Sequence, residues 1–298
     1  MTDINVLKEI QLCLKSVGLY TGAIDGIFGW QSYSAVLALS KETTSKNKSV
    51  KNLNKIKAAA KDIQNILIEQ RKYFDVVDGI FGSNSMTAFN SLLPAPKLNE
   101  VNLSKVYKNI LPGLAPYINQ FAPEYHVQTK ADLCAFLANN IHESRGFKSL
   151  RENMNYSAPR LLQVFPKYFK TLAAARAVAA RGPIAICDVV YGGRMGNGVN
   201  NGDGYKYRGG GSIHLTGKEN YTLCSIGIGL GSKLLEDPDL LTQPEYAVKS
   251  AFWFWNKNRC SRAVNRGDFQ AACKIVNGGT NGMAEREALF AKAWSSIF

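Results

Sequence analysis

The chain holds 298 residues, 46% of them apolar and 20% charged, the balance of an ordinary soluble globular protein of about two domains. That balance excludes a disordered chain, a collagen-like chain and a membrane bundle. No apolar run nears the ~18 residues of a spanning helix, the best candidate being Ala251 to Trp255. Thirty-six Lys and Arg against 23 Asp and Glu leave a net charge of +13, which raises the local concentration of any polyanion, whether nucleic acid, anionic lipid or cell wall.

The start, Met1-Thr2-Asp3-Ile4-Asn5, has no basic stretch leading into an apolar core, so no signal peptide is expected. Without one, Cys13, Cys134, Cys187, Cys224, Cys260 and Cys273 are expected as free thiols, mostly buried, and no two are spaced C-x-x-C. Ile10, Leu14 and Val17 recur at helical spacing and Gly18 closes that helix. Asp25-Gly26 is a turn signal: the carboxylate accepts from nearby backbone N–H groups while the glycine takes a positive φ. Phe28 anchors a small core, and Val36, Leu37 and Leu39 mark a second short helix.

The pattern then repeats. Asp25-Gly26-Ile27-Phe28-Gly29 recurs as Asp78-Gly79-Ile80-Phe81-Gly82, 53 residues on, with Ile10-Gln11, Leu14 and Ala35 matched by Ile63-Gln64, Leu67 and Ala88. Each unit reads as helix, turn, helix; the turn motif alone also allows a helical hairpin with no ligand. Residues 41–57, with six Lys and one Glu, read as a polar, mobile connector whose default role is a solvated spacer. Pro94-Ala95-Pro96 discourages regular structure and places a domain break near residue 97. The expected layout is a region 1–97, with repeats at about 7–40 and 60–93, followed by 98–298.

The second region reads as mainly α. Thr129-x-x-Asp132 resembles a capping box opening a helix through Leu133, Leu137 and Ile141. Ala158 to Phe165, Thr171 to Arg181, a helix started by Pro244, Phe269 to Val276 and Ala284 to Ile297 follow. Tyr191 to Thr216, rich in Gly and Asn and then alternating, suggests an irregular loop leading into a small hairpin.

Glu143 falls at the end of an apolar helix beside Gly146, where partial burial suits a carboxyl group to general-acid work. Glu152, nine residues on, is a second carboxylate, and two carboxyls in different settings can divide acid and base roles in glycoside hydrolysis. Spacing alone equally describes two solvated surface glutamates. A zinc site would need a second His four residues after His142, where Gly146 stands, so no metal and no cofactor are expected. There is no G-x-S-x-G elbow, and Arg208-Gly209-Gly210-Gly211-Ser212 lacks a phosphate-loop ending.

Residues about 129–290 resemble the glycoside hydrolase family 19 domain of phage endolysins and related lysozyme-like proteins. The resemblance rests on His142-Glu143-Ser144, Arg151 to Ser157, Phe165 to Phe169, Tyr191 to Asn197, Gly202 to Gly209, His214-Leu215-Thr216-Gly217, Ala251 to Trp255 and Val276-Asn277-Gly278-Gly279. Residues 1–93 resemble two copies of a small helical peptidoglycan-binding domain marked by D-G-x-x-G. The resemblance implies a lysozyme-like or chitinase-like α-rich (α+β) catalytic domain. In it Glu143 is the general acid, Glu152 the base that activates water, and Thr216 a holder of that water. By the same resemblance His142, Asn155, Tyr156, Arg194, Tyr207, Arg208, His214, Asn277 and Arg286 contact or tune substrate. Tyr156, Tyr207 and Trp253 read equally as sugar platforms or as core aromatics, Trp253 rather as core. Asp25, Gly26, Phe28, Asp78, Gly79 and Phe81 are the implied wall-binding residues.

Two departures stand out: His214 replaces the family's usual Gln, and Gly210 replaces a frequent Arg, which would loosen or widen the cleft. The family works by inversion, with carboxyls about 6.5–9.5 Å apart around a water. The expected protein is thus a monomeric muramidase acting on bacterial peptidoglycan, with no nucleic-acid partner and no stable membrane insertion. It would wait in the host cytoplasm until the membrane is permeabilised. Chitin hydrolysis, lytic transglycosylation and a non-catalytic wall-binding role are the alternatives.

Overall fold

The computed structural model describes residues 3–45 and 52–297. In chain order the helices are α1 (Ile4–Ser16), α2 (Trp30–Thr44), α3 (Leu53–Glu69), α4 (Ser83–Asn90), α5 (Glu100–Val106), α6 (Ala115–Glu124), α7 (Lys130–Ser144), α8 (Ala158–Val164) and α9 (Leu172–Ala179). There follow α10 (Pro183–Tyr191), α11 (Asp203–Lys206), α12 (Lys218–Gly227), α13 (Lys233–Glu236), a 3-10 turn (Pro238–Thr242), α14 (Pro244–Lys257), α15 (Cys260–Asn265), α16 (Phe269–Asn277) and α17 (Met283–Ser296). The fold is α-rich; among the described residues β-pairing is confined to isolated bridges.

The chain divides into two compact units. One takes the chain up to Val106, Ala122–Ala138 and the chain from Asn258 onward; the other takes Tyr107–Phe121 and Asn139–Lys257. The expected break near residue 97 coincides with neither boundary. The proline segment is paired rather than a free linker: the Ala95 N–H donates to the Gln128 carbonyl and the Lys130 N–H to the Leu93 carbonyl, each at 2.8 Å, which ties residues 93–95 to 128–130 of the same unit.

In the first unit the 53-residue repeat is structural. Gly26 and Gly79 have φ of 77° and 76°, and a Cβ on Gly26 would sit 2.7 Å from the Ile4 carbonyl oxygen. Gln11, fully buried, places its amide nitrogen within 3.1–3.3 Å of the Tyr20 hydroxyl, Asp25 Oδ1, the Ile27 carbonyl and Ser32 Oγ. Its carbonyl accepts the Gly26 N–H at 2.8 Å. Gln64 repeats the arrangement with Tyr73, Asp78, Ile80, Ser85 and Gly79. One buried amide thus closes each turn, because a buried polar side chain must find partners.

Beside the first repeat the Tyr33 and Trp294 rings stack with centroids 3.8 Å apart, and the Trp294 indole N–H donates to the Phe28 carbonyl at 3.0 Å. The C-terminal helix α17 therefore belongs to the core that the repeats build.

Of the mobile connector expected over 41–57, the described part is mostly helix: α2 runs through Thr44 and α3 begins at Leu53, and residues 46–51 lie outside the described residues. Ile56 faces the core and the Lys side chains face away, so the local charge did not override the apolar stripe. The cysteines are free, all buried but Cys13, and burial pushes the thiols up, Cys13 to about 11 and Cys187, Cys224 and Cys260 to about 12.

The second unit packs α14 through Ala247, Val248, Ala251, Phe252 and Trp255. A smaller core of Met154, Leu161, Phe169, Ala175, Ile186 and Val190 lies among α8, α9 and α10. The expected hairpin is present in minimal form: after the short helix α11, one antiparallel bridge pairs Gly210 with Leu215 through backbone bonds of 3.0 and 2.8 Å across the turn 211–214.

Candidate active site

The site is assembled in the second unit at the C-terminal end of α7. Thr129 caps that helix by accepting the Asp132 N–H at 3.1 Å, as the capping-box pattern predicts. At its far end Asn140 and Ser144 are buried polar residues with defined partners. Ser212 Oγ donates to Asn140 Oδ1 at 2.8 Å, and Ser144 Oγ accepts the Phe147 N–H at 2.8 Å. These bonds fix the last helical turn, which carries His142 and Glu143, both half-buried.

Past Ser144 the chain reverses sharply. Arg145, Gly146 and Phe147 have φ of 51°, 76° and 64°, three consecutive left-handed residues, two of them not glycine. Such backbone is costly and persists where its surroundings over-determine it. The Gly146 N–H donates to the Ile141 carbonyl at 3.0 Å and its carbonyl accepts the Leu111 N–H at 2.8 Å. A Cβ there would press on the Tyr107 ring at 2.7 Å.

Glu152 is held more tightly than its loop position suggests. Its Oε1 accepts from the Tyr191 hydroxyl at 2.7 Å and its Oε2 from the Gly209 N–H at 3.1 Å. Its backbone pairs with Gly209 at 2.9 Å, and its carbonyl accepts from Arg208 Nε at 3.1 Å. Burial first, and then the Glu152 charge, push the Tyr191 hydroxyl far above its usual range, so it stays a neutral donor. The same two causes raise Tyr156. Two of the carboxylate's roughly four lone-pair positions are thereby used, which leaves it able to accept from a water.

Behind Glu152 stands a clamp. Arg151 donates through Nη1 to the Tyr221 hydroxyl at 2.6 Å and to the Arg208 carbonyl at 3.3 Å, and through Nη2 to the Lys206 carbonyl at 3.0 Å. Its Nε pairs with Asp239 at 2.9 Å. The Tyr221 hydroxyl donates onward to the Arg208 carbonyl at 2.9 Å. Gly210 makes this possible: a Cβ there would lie 2.1 Å from the Tyr221 oxygen and 2.9 Å from Arg151 Nη1. The expectation that Gly210 loosens or widens the cleft is therefore corrected; the residue is buried and its missing side chain is filled by the clamp.

The other sequence-predicted residues divide by environment. Thr216, half-buried, donates to the His214 carbonyl at 2.9 Å, and His214 Nε2 donates to the Ser149 carbonyl at 2.8 Å. Tyr156 is half-buried with its ring edge-on to Phe165 at 5.5 Å, and Asn155 is exposed. Arg194 donates to the Tyr168 hydroxyl and to the Val190 carbonyl, and Arg208 lies over the Tyr205 ring at 3.9 Å. Tyr207 is only 3% exposed and donates to the Leu235 carbonyl, so it offers a sugar no ring face; Trp253 is buried likewise.

Asn277 and Arg286 belong to the first unit, Asn277 closing α16 and Arg286 fully buried on α17. In the repeats Phe28 and Phe81 are core residues and Gly26 and Gly79 are turn residues. Of these six implied wall-binding residues, only Asp25 and Asp78 present exposed side chains. Hydrogen bonds from the Ile27 N–H and from Gln11 hold the Asp25 carboxyl below its ordinary range.

Sequence reasoning did not single out Tyr191, Arg151, Gly209 or Tyr221 as site residues. Tyr191 lay within a quoted motif, but no spacing ties it to a glutamate 39 positions away. Among the described residues no three His, Cys, Asp or Glu side chains gather to hold a metal, and no helix is long and apolar enough to cross a membrane.

The family model for glycoside hydrolase family 19, described as Chitinase class I, matches residues 119–274. A glycosyl hydrolase family 19 domain-containing protein of Haemophilus influenzae is 34% identical over 194 residues, spanning 65% of this chain and 94% of that protein. The acidic 26 kDa endochitinase of Solanum lycopersicum is 40% identical over 65 residues, 20% of this chain and 26% of the plant enzyme. Endochitinase 1 of Theobroma cacao is 49% identical over 53 residues, 17% of this chain and 16% of that enzyme. The chain thus covers nearly all of the bacterial relative and 26% and 16% of these plant ones.

Proposed function

The chain belongs to glycoside hydrolase family 19, and we propose that it hydrolyses the β-1,4 glycosidic bonds of bacterial peptidoglycan as a muramidase. Glu143 protonates the leaving glycosidic oxygen. Glu152, anionic and held by Tyr191 and Gly209, removes a proton from water on the opposite face of the sugar, and the product inverts. Thr216 spends its proton on the His214 carbonyl, so its oxygen is left to accept from that water. Arg208 and Arg151 act as positioning residues by holding the backbone of 152 and 208–210.

The observation that carries the hydrolytic reading is the two-donor seat of Glu152, which aligns a carboxylate without neutralising it by an ion pair. Peptidoglycan is favoured over chitin by the duplicated helical turn of residues 1–93, which resembles a peptidoglycan-binding fold. The net charge of +13 suits an anionic wall. In this reading the protein is a lysin, a monomer, that reaches the wall once the membrane is permeabilised, with Asp25 and Asp78 on the wall-binding surface. Chitin hydrolysis is the second reading, supported by the endochitinase names of the plant relatives. Glu143→Gln tests the assignment: soluble fragment release should vanish while wall pull-down persists. Unchanged lysis would overturn the role of Glu143.

A further inference from the structure

In the second unit, the strained reversal after Glu143 forms one wall of a cavity of about 1190 Å³. Tyr107, Leu111, Leu150 and Pro244 give it apolar patches, and Arg145, Lys148 and Arg151 give it charge; no carboxylate lines it. Arg151 is committed to Tyr221, two carbonyls and Asp239. Arg145 and Lys148 are exposed and make no ion pair with a described residue. Two uncommitted cations in an acid-free concavity are a site for anions.

The cavity is tied to the chemistry through the chain. Arg145 follows Glu143 by two residues, and Arg151 directly precedes Glu152. Ser149, also on the wall, holds His214 through its carbonyl. The left-handed φ of 51° places a non-glycine residue, Arg145, where glycine would be expected, and strain of this kind gathers at functional positions. Chitin is a neutral polymer, for which two unpaired cations are of no use. The glycan strand of peptidoglycan carries a peptide on alternate sugars, with free carboxylates and apolar side chains.

We propose that this cavity binds the peptide branch of the peptidoglycan strand, Arg145 and Lys148 pairing with its carboxylates. The inference rests on the muramidase reading and sharpens it: the enzyme selects peptide-bearing glycan. The size suits several residues of a peptide, since it exceeds the ~300–1,000 Å³ common for small-molecule pockets.

The test compares wild type with Lys148→Gln and with Arg145→Gln/Lys148→Gln. The substrates are intact peptidoglycan and the same glycan stripped of its peptides. Losing the charged contacts should raise KM on intact wall about tenfold, the worth of one charge-assisted hydrogen bond, with kcat unchanged. On stripped glycan the variants should match wild type. Arg145→Lys/Lys148→Gln should behave as Lys148→Gln does, because the charge at 145 is kept, and the single variant keeps the test valid if the double variant misfolds. Equal KM on intact wall for all variants would overturn the proposal while leaving the muramidase reading intact. If wild type cleaves neither glycan, that reading fails; calorimetry with a free stem peptide then still reads the cavity. Binding lost in Lys148→Gln supports the proposal, and no binding to wild type overturns it.

Discussion

Gly210→Ala is the perturbation whose consequence the structure fixes most closely. The new methyl would stand 2.1 Å from the Tyr221 hydroxyl and 2.9 Å from Arg151 Nη1, with Leu241 at 3.3 Å. The neighbours cannot all retreat, because the Tyr221 hydroxyl both accepts from Arg151 at 2.6 Å and donates to the Arg208 carbonyl at 2.9 Å. Overpacking of this kind costs about 1–3 kcal/mol, and losing a hydrogen bond to a charged group about 1.5–3 kcal/mol. Together they should remove roughly 3–5 kcal/mol, a large share of the ~5–15 kcal/mol that stabilises a domain. Tyr221→Phe deletes the colliding oxygen and by itself should cost about 1.5–3 kcal/mol. Because both changes act on one atom, the double variant should be less destabilised than the sum of the singles by about 1–3 kcal/mol. Urea unfolding of wild type, both singles and the double gives the cycle directly. A Gly210→Ala protein within 0.5 kcal/mol of wild type, or strict additivity, would refute the close-packed clamp.

Three further outcomes follow. Tyr191→Phe should lower kcat about tenfold with little change in KM, since a donor that orients the base is lost while its charge remains; a KM effect alone would count against that role. Gln11→Leu should destabilise the chain by about 2–4 kcal/mol because the Gly26 N–H and its neighbours lose a buried partner, and Gln64→Leu should match it in thermal unfolding; a pair of silent variants would contradict the closing role of the amide. Lys130, in the first turn of α7 and 4.7 Å from the Trp294 ring, is pushed down by burial to about 7 from 10.5. Its folded value lies below its unfolded one, so the unfolded chain binds more protons and stability rises as pH climbs from about 7 to 10.5. Between pH 7 and 9.5 wild type should gain on the order of 3 kcal/mol relative to Lys130→Met, and parallel pH curves for the two proteins would exclude a depressed Lys130.

Much of the helical fold could be read from residues. The Thr129 cap and the first-turn Pro244 stand where local pattern put them, and the alanine-rich helix expected from Thr171 forms, with Thr171 accepting the Ala174 N–H at 3.2 Å. So do the two turns at Asp25 and Asp78, because their geometry depends on neighbours in sequence. What escaped depends on distant partners. Gln11 and Gln64 marked the repeat register, yet their burial among five partners each needs the fold. The Trp294 bond to Phe28 spans 266 residues, so no division read from prolines alone could anticipate that α17 joins the repeats. The helix α10 was missed because Ile184, Val189 and Val190 lie near a Gly-rich run that reads as loop. In the candidate site, motif resemblance pointed to both glutamates, whereas the seat of Glu152 is made by Tyr191 and by a backbone N–H that carries no sequence signal.

The central claim is tested most directly by mass spectrometry of the fragments released from purified peptidoglycan, after borohydride reduction marks the new ends. The account predicts reduced N-acetylmuramic acid ends with the wild-type protein and none with Glu143→Gln or Glu152→Gln. Anhydro ends would contradict water activation by Glu152, and release of fragments from chitin but not from peptidoglycan would contradict the muramidase reading.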